Sequence, residues 1–412
     1  MGAPEVDFAP PPRRQAAIAF IFITVVLDVL AMGIIIPVLP RLVQDFLNGD
    51  AARAAIMFGV FGTVWSAMQF FCSPIIGMLS DRFGRRRVIL LSNFGLGLDY
   101  MVMALAPTLG WLFVGRVISG ITGASWTTAG AYIADVTPKE KRAASYGIIG
   151  AAWGLGFILG PAIGGLLGST NPRLPFWAAA GMTLLNALYG LLVLPESLPP
   201  EKRTPKFDWA KANPVGSLRL LRSHHELLGL ASVNFLYFVS HQVLQSVFVL
   251  YVAYRYHWEP RAVGLTLALI GTGSVIVQAG LIKPVVAKIG DRRALLLGLV
   301  AGIIGFTAWG LAPTGALFIA AIPFGSLMGF YGPAAQGLMT HRVSASEQGQ
   351  LQGANASVMG IAGLIGPGLF TWTFAHFIGA DTSWQLPGAP FLLGAMLLST
   401  ALIIAVRVTR QR

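Results

Sequence analysis

Apolar residues run along this chain in long blocks separated by short polar stretches that carry most of its charge. A helix crossing about 30 Å of hydrocarbon needs roughly 20 residues, because it rises about 1.5 Å per residue. Twelve blocks of that length occur, near 16–39, 55–79, 88–106, 111–134, 143–167 and 174–194, then near 227–253, 263–287, 294–312, 316–340, 350–377 and 387–406. Lipid offers no partner to a bare peptide group, so each block is predicted to be helical. Between the two sets, Pro195, Pro199, Pro200, Pro205 and Pro214 stand among mixed charges, which is a linker composition. The expected fold is therefore an all-α membrane protein of twelve transmembrane helices: an N-terminal six-helix bundle over 1–194, a linker over 195–226 and a C-terminal six-helix bundle over 227–412. The first block follows Arg13 and Arg14, exceeds the apolar region of a signal peptide and has no small-x-small cleavage site after it, so a retained span is expected.

Composition excludes the soluble classes. The chain is 55% hydrophobic and 11% charged, against a charged share of about 25% in soluble proteins. Its 49 glycines suit membrane helices, whose close approach depends on small side chains. The single cysteine, Cys72, rules out an internal disulfide or a thiolate metal cluster. The net charge of +12 does not indicate nucleic acid, because the basic residues lie in short runs between apolar blocks. With twelve spans, 23 Lys and Arg fall on the side of the termini and linker, five on the other side and one inside a span. That bias predicts cytoplasmic termini and a cytoplasmic linker.

The halves repeat one another at an offset of 206 residues. Gly84 with Arg86 and Arg87 recurs as Gly290 with Arg292 and Arg293, Ala106-Pro107-Thr108 as Ala312-Pro313-Thr314, Gly147 as Gly353, and Gly160-Pro161 as Gly366-Pro367. Parallel repeats of six spans make the two halves of a rocking transporter, with its substrate site between them near the bilayer midplane. A duplicated scaffold without transport is the alternative.

Only Asp28, Asp99 and Arg116 place charge deep inside spans, and at least about 2.5 kcal/mol opposes each such charge at a helix centre, which marks functional candidates. The offset carries Asp28 onto Asn234 and Arg116 onto Ile322, so proton coupling is assigned to the first half. A carboxylate at Asp28 or Asp99 would alternate between a proton and a cationic substrate. Arg116 would tune it, since a nearby cation favours the ionised form and burial the neutral one. A static Asp–Arg pair that only orients helices is the competing reading. Gln69, Asn234, His241, Gln242, Gln245 and Gln278 are candidates for substrate hydrogen bonds, each equally open to an interhelical contact.

The run Gly77-Met78-Leu79-Ser80-Asp81-Arg82-Phe83-Gly84-Arg85-Arg86-Arg87 resembles the signature loop of the major facilitator superfamily. Asp81, just past span 2, can accept from arginines or face a helix N-terminus, contacts expected only when the cytoplasmic side is shut. Asp81, Arg82, Gly84, Arg85 and Arg86 thus form an expected gate, while the arginines also satisfy the orientation rule by themselves. The second copy has Ala287 where Asp81 would fall. On span 5, Gly150, Gly154, Gly160, Pro161 and Gly164 form a small-residue face that resembles the antiporter signature of the same superfamily. Leu27-Asp28 through Pro40, Gly97 to Tyr100 and Gly115 to Ala124 resemble the tetracycline-resistance exporters of its drug:proton antiporter group.

The resemblance implies a proton-coupled antiporter that exports a small amphipathic molecule or drug, tetracycline-like, from the cytoplasm across a bacterial inner membrane. It implies no cofactor beyond the proton gradient, a substrate with or without a divalent metal, and function as a monomer in the bilayer. One departure stands out: those exporters carry an acidic residue in span 9, where this chain reads Gly298 to Gly305 without a carboxylate. That departure counts against a metal-chelated tetracycline cation. An importer or uniporter of a small metabolite and a non-transporting receptor are the alternatives. A membrane enzyme is disfavoured because His241 and His376 have no acidic partner at ligand spacing. If the topology is right, a cysteine at Thr204 stays unlabelled when intact cells meet an impermeant reagent; labelling from outside would overturn it.

Overall fold

The computed structural model describes residues 12–123, 126–137, 142–204, 213–223, 225–344, 347–380, 382 and 384–410. Among them, ten helical segments are long and apolar enough to cross a bilayer. One of these, Pro260–Leu311, has 52 residues, more than twice the length a single crossing needs. It is divided at Gly290, whose φ of 78° and ψ of 163° are not helical. A further crossing consists of α5 (Leu109–Gly123) and α6 (Trp126–Val136), with 124–125 outside the described residues. Ten segments, the second crossing inside 260–311 and the α5–α6 pair make twelve.

In the first half, span 1 is α1 (Pro12–Ile35) followed by a short α2 (Leu39–Phe46), span 2 is α3 (Ala51–Phe83) and span 3 is α4 (Arg85–Leu105). Spans 5 and 6 are α7 (Arg142–Thr170) and α8 (Leu174–Val193). After the linker, whose described part ends in α9 (Arg219–Ser223), span 7 is α10 (His225–Ser246) with α11 (Phe248–Tyr256). Span 8 is α12 (Pro260–Val275), a π turn (Ile276–Leu281) and the start of α13 (Ile282–Leu311), whose remainder is span 9. Span 10 is broken into α14 (Gly315–Ala320), α15 (Ile322–Leu327), a 3-10 turn (Met328–Phe330) and α16 (Tyr331–Thr340). Spans 11 and 12 are α17 (Gln348–Ile378) and α18 (Ala389–Val408).

Several spans are thus less regular than the apolar blocks suggested. Span 1 breaks at residues 36–38, where Pro37 lacks the amide hydrogen that would continue the helix. Span 10 breaks after Ala321, where Pro323 begins a new helix. Apolarity specifies burial in lipid and says nothing of such interruptions.

The halves meet along two seams, α3 with α17 and α7 with α12, and the 206-residue offset interchanges them. A glycine faces a proline on each seam. A Cβ on Gly62 would lie 3.0 Å from the ring of Pro367, and one on Gly264 would strike the carbonyl of Pro161. Gly165 packs against the backbone of Pro260 and Gly264, and Gly59 against Thr371. Ala55 joins the core of the second half, with Ile36, Ala51, Ala52 and Phe58 packed on it. These contacts lie toward the side opposite the linker and extend to mid-span at Phe70–Gly360 and Val275–Gly154.

Toward the linker side, Gly77, Gly150, Gly280 and Gly349 on the same four spans have nothing within 4 Å of a Cβ position. Among the described residues, the close glycine contacts between the halves therefore lie on the side opposite the linker. A bulky side chain in a seam should weaken those contacts: Gly264→Val is expected to cost about 1–3 kcal/mol in the packed seam. Spin labels at Arg53 and Arg261 should then report a longer separation than in the parent protein.

Candidate functional site

Asp28 lies on α1, where its carboxylate accepts a 2.8 Å hydrogen bond from Asn186 Nδ2 of α8. The same nitrogen donates to the Thr24 carbonyl at 2.9 Å. Asn186 is fully buried. Asp99, on α4, is 1% exposed, and neither carboxylate oxygen has a hydrogen-bond partner among the described residues. Its Oδ1 lies 2.9 Å from where a Cβ on Gly115 would stand, so the glycine one residue before Arg116 leaves room for the carboxylate.

Arg116 forms no ion pair with either aspartate. Its guanidinium lies over the ring of Trp65 on α3, 5.6 Å from the centroid, a cation–π placement. Among the described residues, neither carboxylate has a cation within salt-bridge distance, so no pair forms among the three charges in this structure.

The polar candidates separate. Asn234 is 5% exposed and fully engaged: Tyr331 donates to its Oδ1 at 2.5 Å, and its Nδ2 reaches Asn355 Oδ1 at 3.1 Å and Met339 Sδ at 3.2 Å. These bonds link spans 7, 10 and 11. His241 stacks on Tyr237, which stacks on Tyr331 at 3.8 Å. Gln242 Nε2 and Ser66 Oγ both lie 3.4 Å from a Cβ position on Gly363, so Gln242 stands where spans 2, 7 and 11 converge. Gln69 packs beside Gly123 of span 4. Gln278 is exposed on the π turn of span 8, and Gln245 is exposed on span 7.

On span 5 the small residues serve two neighbours. Gly160 meets Gly33 and Gly164 meets Ile34, both on span 1, whereas Gly154 meets Val275 and Pro161 meets Gly264 across the seam. Gly150 faces open space.

At the linker side, Gly84 takes φ 101° between α3 and α4, a conformation that strains any other residue. Glu196, from the start of the linker, accepts from the backbone of Arg85 at 2.9 Å and of Arg86 at 3.4 Å, capping α4. Arg85 pairs with Asp81 and reaches Asp135 at 3.2 Å, and Asp135 also accepts from Ser197 at 3.1 Å. Arg86 donates to the Leu191 carbonyl at 2.5 Å. Arg82 lies outside this cluster, over the ring of Phe83 at 5.2 Å.

Two expectations change. Asp81 lies inside the last turn of α3 rather than past it. Its contact with Arg85 is internal to the first half. Asn186, Trp65, Asp135 and Glu196 were not anticipated. Asn186, an amide in an apolar span, carried a signal, whereas the other three acquire meaning only through their neighbours.

A twelve-span bundle of two repeats, with carboxylates between the spans of one repeat, can be compared with known proteins. The family model described as Major Facilitator Superfamily matches residues 21–367 and again 230–412. The chain belongs to the major facilitator superfamily. It is 35% identical over 388 residues to a protein named tetracycline resistance protein, class C, of Escherichia coli, covering 93% of this chain and 95% of that one. It is 34% identical to the class G protein of Vibrio anguillarum, covering 96% and 98%. Among solved structures, the human organic anion transporter MFSD10 (TETRAN) superposes with a TM-score of 0.71 at 23% identity, over 96% of this chain and all of the other. The chain is accordingly a multi-pass membrane transporter, not an enzyme. In this member of the superfamily, Glu196→Ala should lose about 1–2 kcal/mol by uncapping α4, read as a lower unfolding temperature of the purified protein.

Proposed function

We propose that this chain is a proton-coupled antiporter that exports a small amphipathic, drug-like molecule from the bacterial cytoplasm. It resides in the inner membrane with both termini cytoplasmic. The halves 1–194 and 227–412 rock about the two seams, and the linker 195–226 joins them. One observation carries the reading: Asp28 and Asp99 sit between the spans of the first half without a counter-ion in contact, whereas the residue equivalent to Asp28 in the second half, Asn234, is neutral and fully hydrogen-bonded. Such carboxylates are free to exchange a proton for another positive or polar partner. The names of the relatives support a drug as that partner.

With the linker side open, an ionised Asp28 or Asp99 meets the substrate from the cytoplasm. On the opposite side a proton takes the carboxylate and the substrate leaves. The neutral carboxyl then returns, since the bilayer opposes the charged form most strongly. Arg116 would bias the ionised state of Asp99 from a distance, and Gln69, Gln242 and Gln278 would offer the substrate hydrogen bonds. Asp81 would meet the N-terminus of α17 when the linker side closes.

Span 9 shapes the expected cargo. A Cβ on Gly298 would lie 2.6 Å from the backbone nitrogen of Tyr331, and one on Gly305 would lie 2.8 Å from that of Gly325. Neither glycine has room for a side chain toward span 10. The lack of a carboxylate between Gly298 and Gly305 counts against a metal-chelated cation as substrate.

Reconstituted protein should accumulate its substrate under an imposed pH gradient, screened over tetracyclines with and without magnesium and over lipophilic monocations. Asp28→Asn should abolish gradient-driven accumulation while leaving the unfolding temperature nearly unchanged, since the second half tolerates asparagine at the equivalent place. A well-folded Asp28→Asn protein that still accumulates substrate against the gradient would falsify the coupling role.

A further inference from the structure

The amide that touches Asp28 is unusual in what it leaves unused. Both partners of Asn186 Nδ2 are acceptors, the Thr24 carbonyl and Asp28 Oδ1, so the nitrogen must point that way. The other atom of the amide, Oδ1, is buried and has no hydrogen-bond partner among the described residues. A buried acceptor without a donor is costly and rare in folded proteins.

We infer that Asn186 is a positioning residue of the proton site, whose amide serves Asp28 in both protonation states. The ionised carboxylate only accepts, and it takes the N–H. The neutral carboxyl gains an O–H that needs an acceptor in an otherwise apolar span, and the idle Oδ1 belongs to the side chain already bonded to it. A carboxylic acid and a primary amide are complementary in this sense, one N–H to C=O and one O–H to C=O. The proton is thereby held without an unpaired polar atom on either side.

A second observation, from the repeat, points the same way. The offset of 206 carries Asn186 onto Leu392, and Asp28 onto Asn234. Where the carboxyl is absent, so is the amide of the sixth span, and Asn234 draws its partners from spans 10 and 11 instead. The amide accompanies the titratable group and is not a requirement of the bundle.

The other ionisable groups around α1 are few. Nearby spans carry Tyr100 and Asp99 on α4 and Arg116 on α5. On α6, Tyr132 shares a core with Ile21 and Val25 of α1, and Asp135 is engaged by Arg85. The described part of α7 turns Gly156, Gly160 and Gly164 to α1.

The inference rests on Asp28 being a proton site, and the test separates the two. In full-length protein, the C=O stretch of neutral Asp28 is identified by infrared difference spectroscopy as the band missing in Asp28→Asn. Asn186→Leu places in span 6 the side chain that the second half already carries. It is expected to move that band to higher wavenumber, because the lost N–H no longer weakens the C=O bond, and to shift the pH midpoint of transport by about half a unit or more. A band and midpoint both unchanged would overturn the inference, whatever happens to stability. Should Asn186→Leu not fold, Asn186→Asp keeps the shape and places two carboxyls side by side. Two titration steps are then expected where the parent shows one, and a single unchanged step counts against the inference. Loss of coupling in Asp28→Asn with a silent Asn186→Leu defeats this inference alone, whereas undiminished coupling in Asp28→Asn defeats the reading beneath it.

Discussion

Close approach of helices across two glycine–proline seams is the constraint on which the rest of this protein depends. Where Pro161 meets Gly264 and Pro367 meets Gly62, the helices of opposite halves come closer than side chains would permit. Among the described residues, the ion pairs and side-chain hydrogen bonds stay within one half or its own stretch of linker. Dispersion between small residues is strong while the surfaces fit and falls off within an ångström of separation. Among the described residues, such seams hold by packing alone, without a polar bond across them.

The same two spans of each half carry both packing and position. Span 5 uses Gly156, Gly160 and Gly164 to lie directly on span 1 and Pro161 to touch span 8, so Asp28 on span 1 is only one helix away from the seam. Each described end of the linker is bonded to its adjacent half. Its beginning is bonded to the first half through Glu196 and Thr204, and Pro214 is bonded to Ser357 of the second.

Duplication supplied two similar halves, and the charges then diverged between them. The first half keeps Asp28, Asp99 and Arg116. The second replaces Asp28 with Asn234 and surrounds it with Tyr331 and Asn355, a network that satisfies every group and leaves nothing to titrate. The gate loop diverged similarly. Gly290 retains the left-handed turn of Gly84, while Ala287 has no carboxylate to offer.

Much was legible in the residues alone. Apolar block length determines the number of crossings, because hydrocarbon thickness and helical rise leave no other solution. Charge inside a span marks Asp28, Asp99 and Arg116, since lipid penalises charge that has no function. The repeat shows through Gly84, Pro161 and their counterparts, residues whose backbone properties no other residue reproduces. Side-chain partnership, by contrast, was decided only in three dimensions. That Arg116 would rest on Trp65 and not on an aspartate, that Asn234 would be consumed by its neighbours, and that Asn186 would stand beside Asp28 all depend on the rotation of each helix about its axis. Long apolar blocks leave that rotation undetermined, because nearly every face of such a helix is acceptable to lipid; only packing against the other helices sets it.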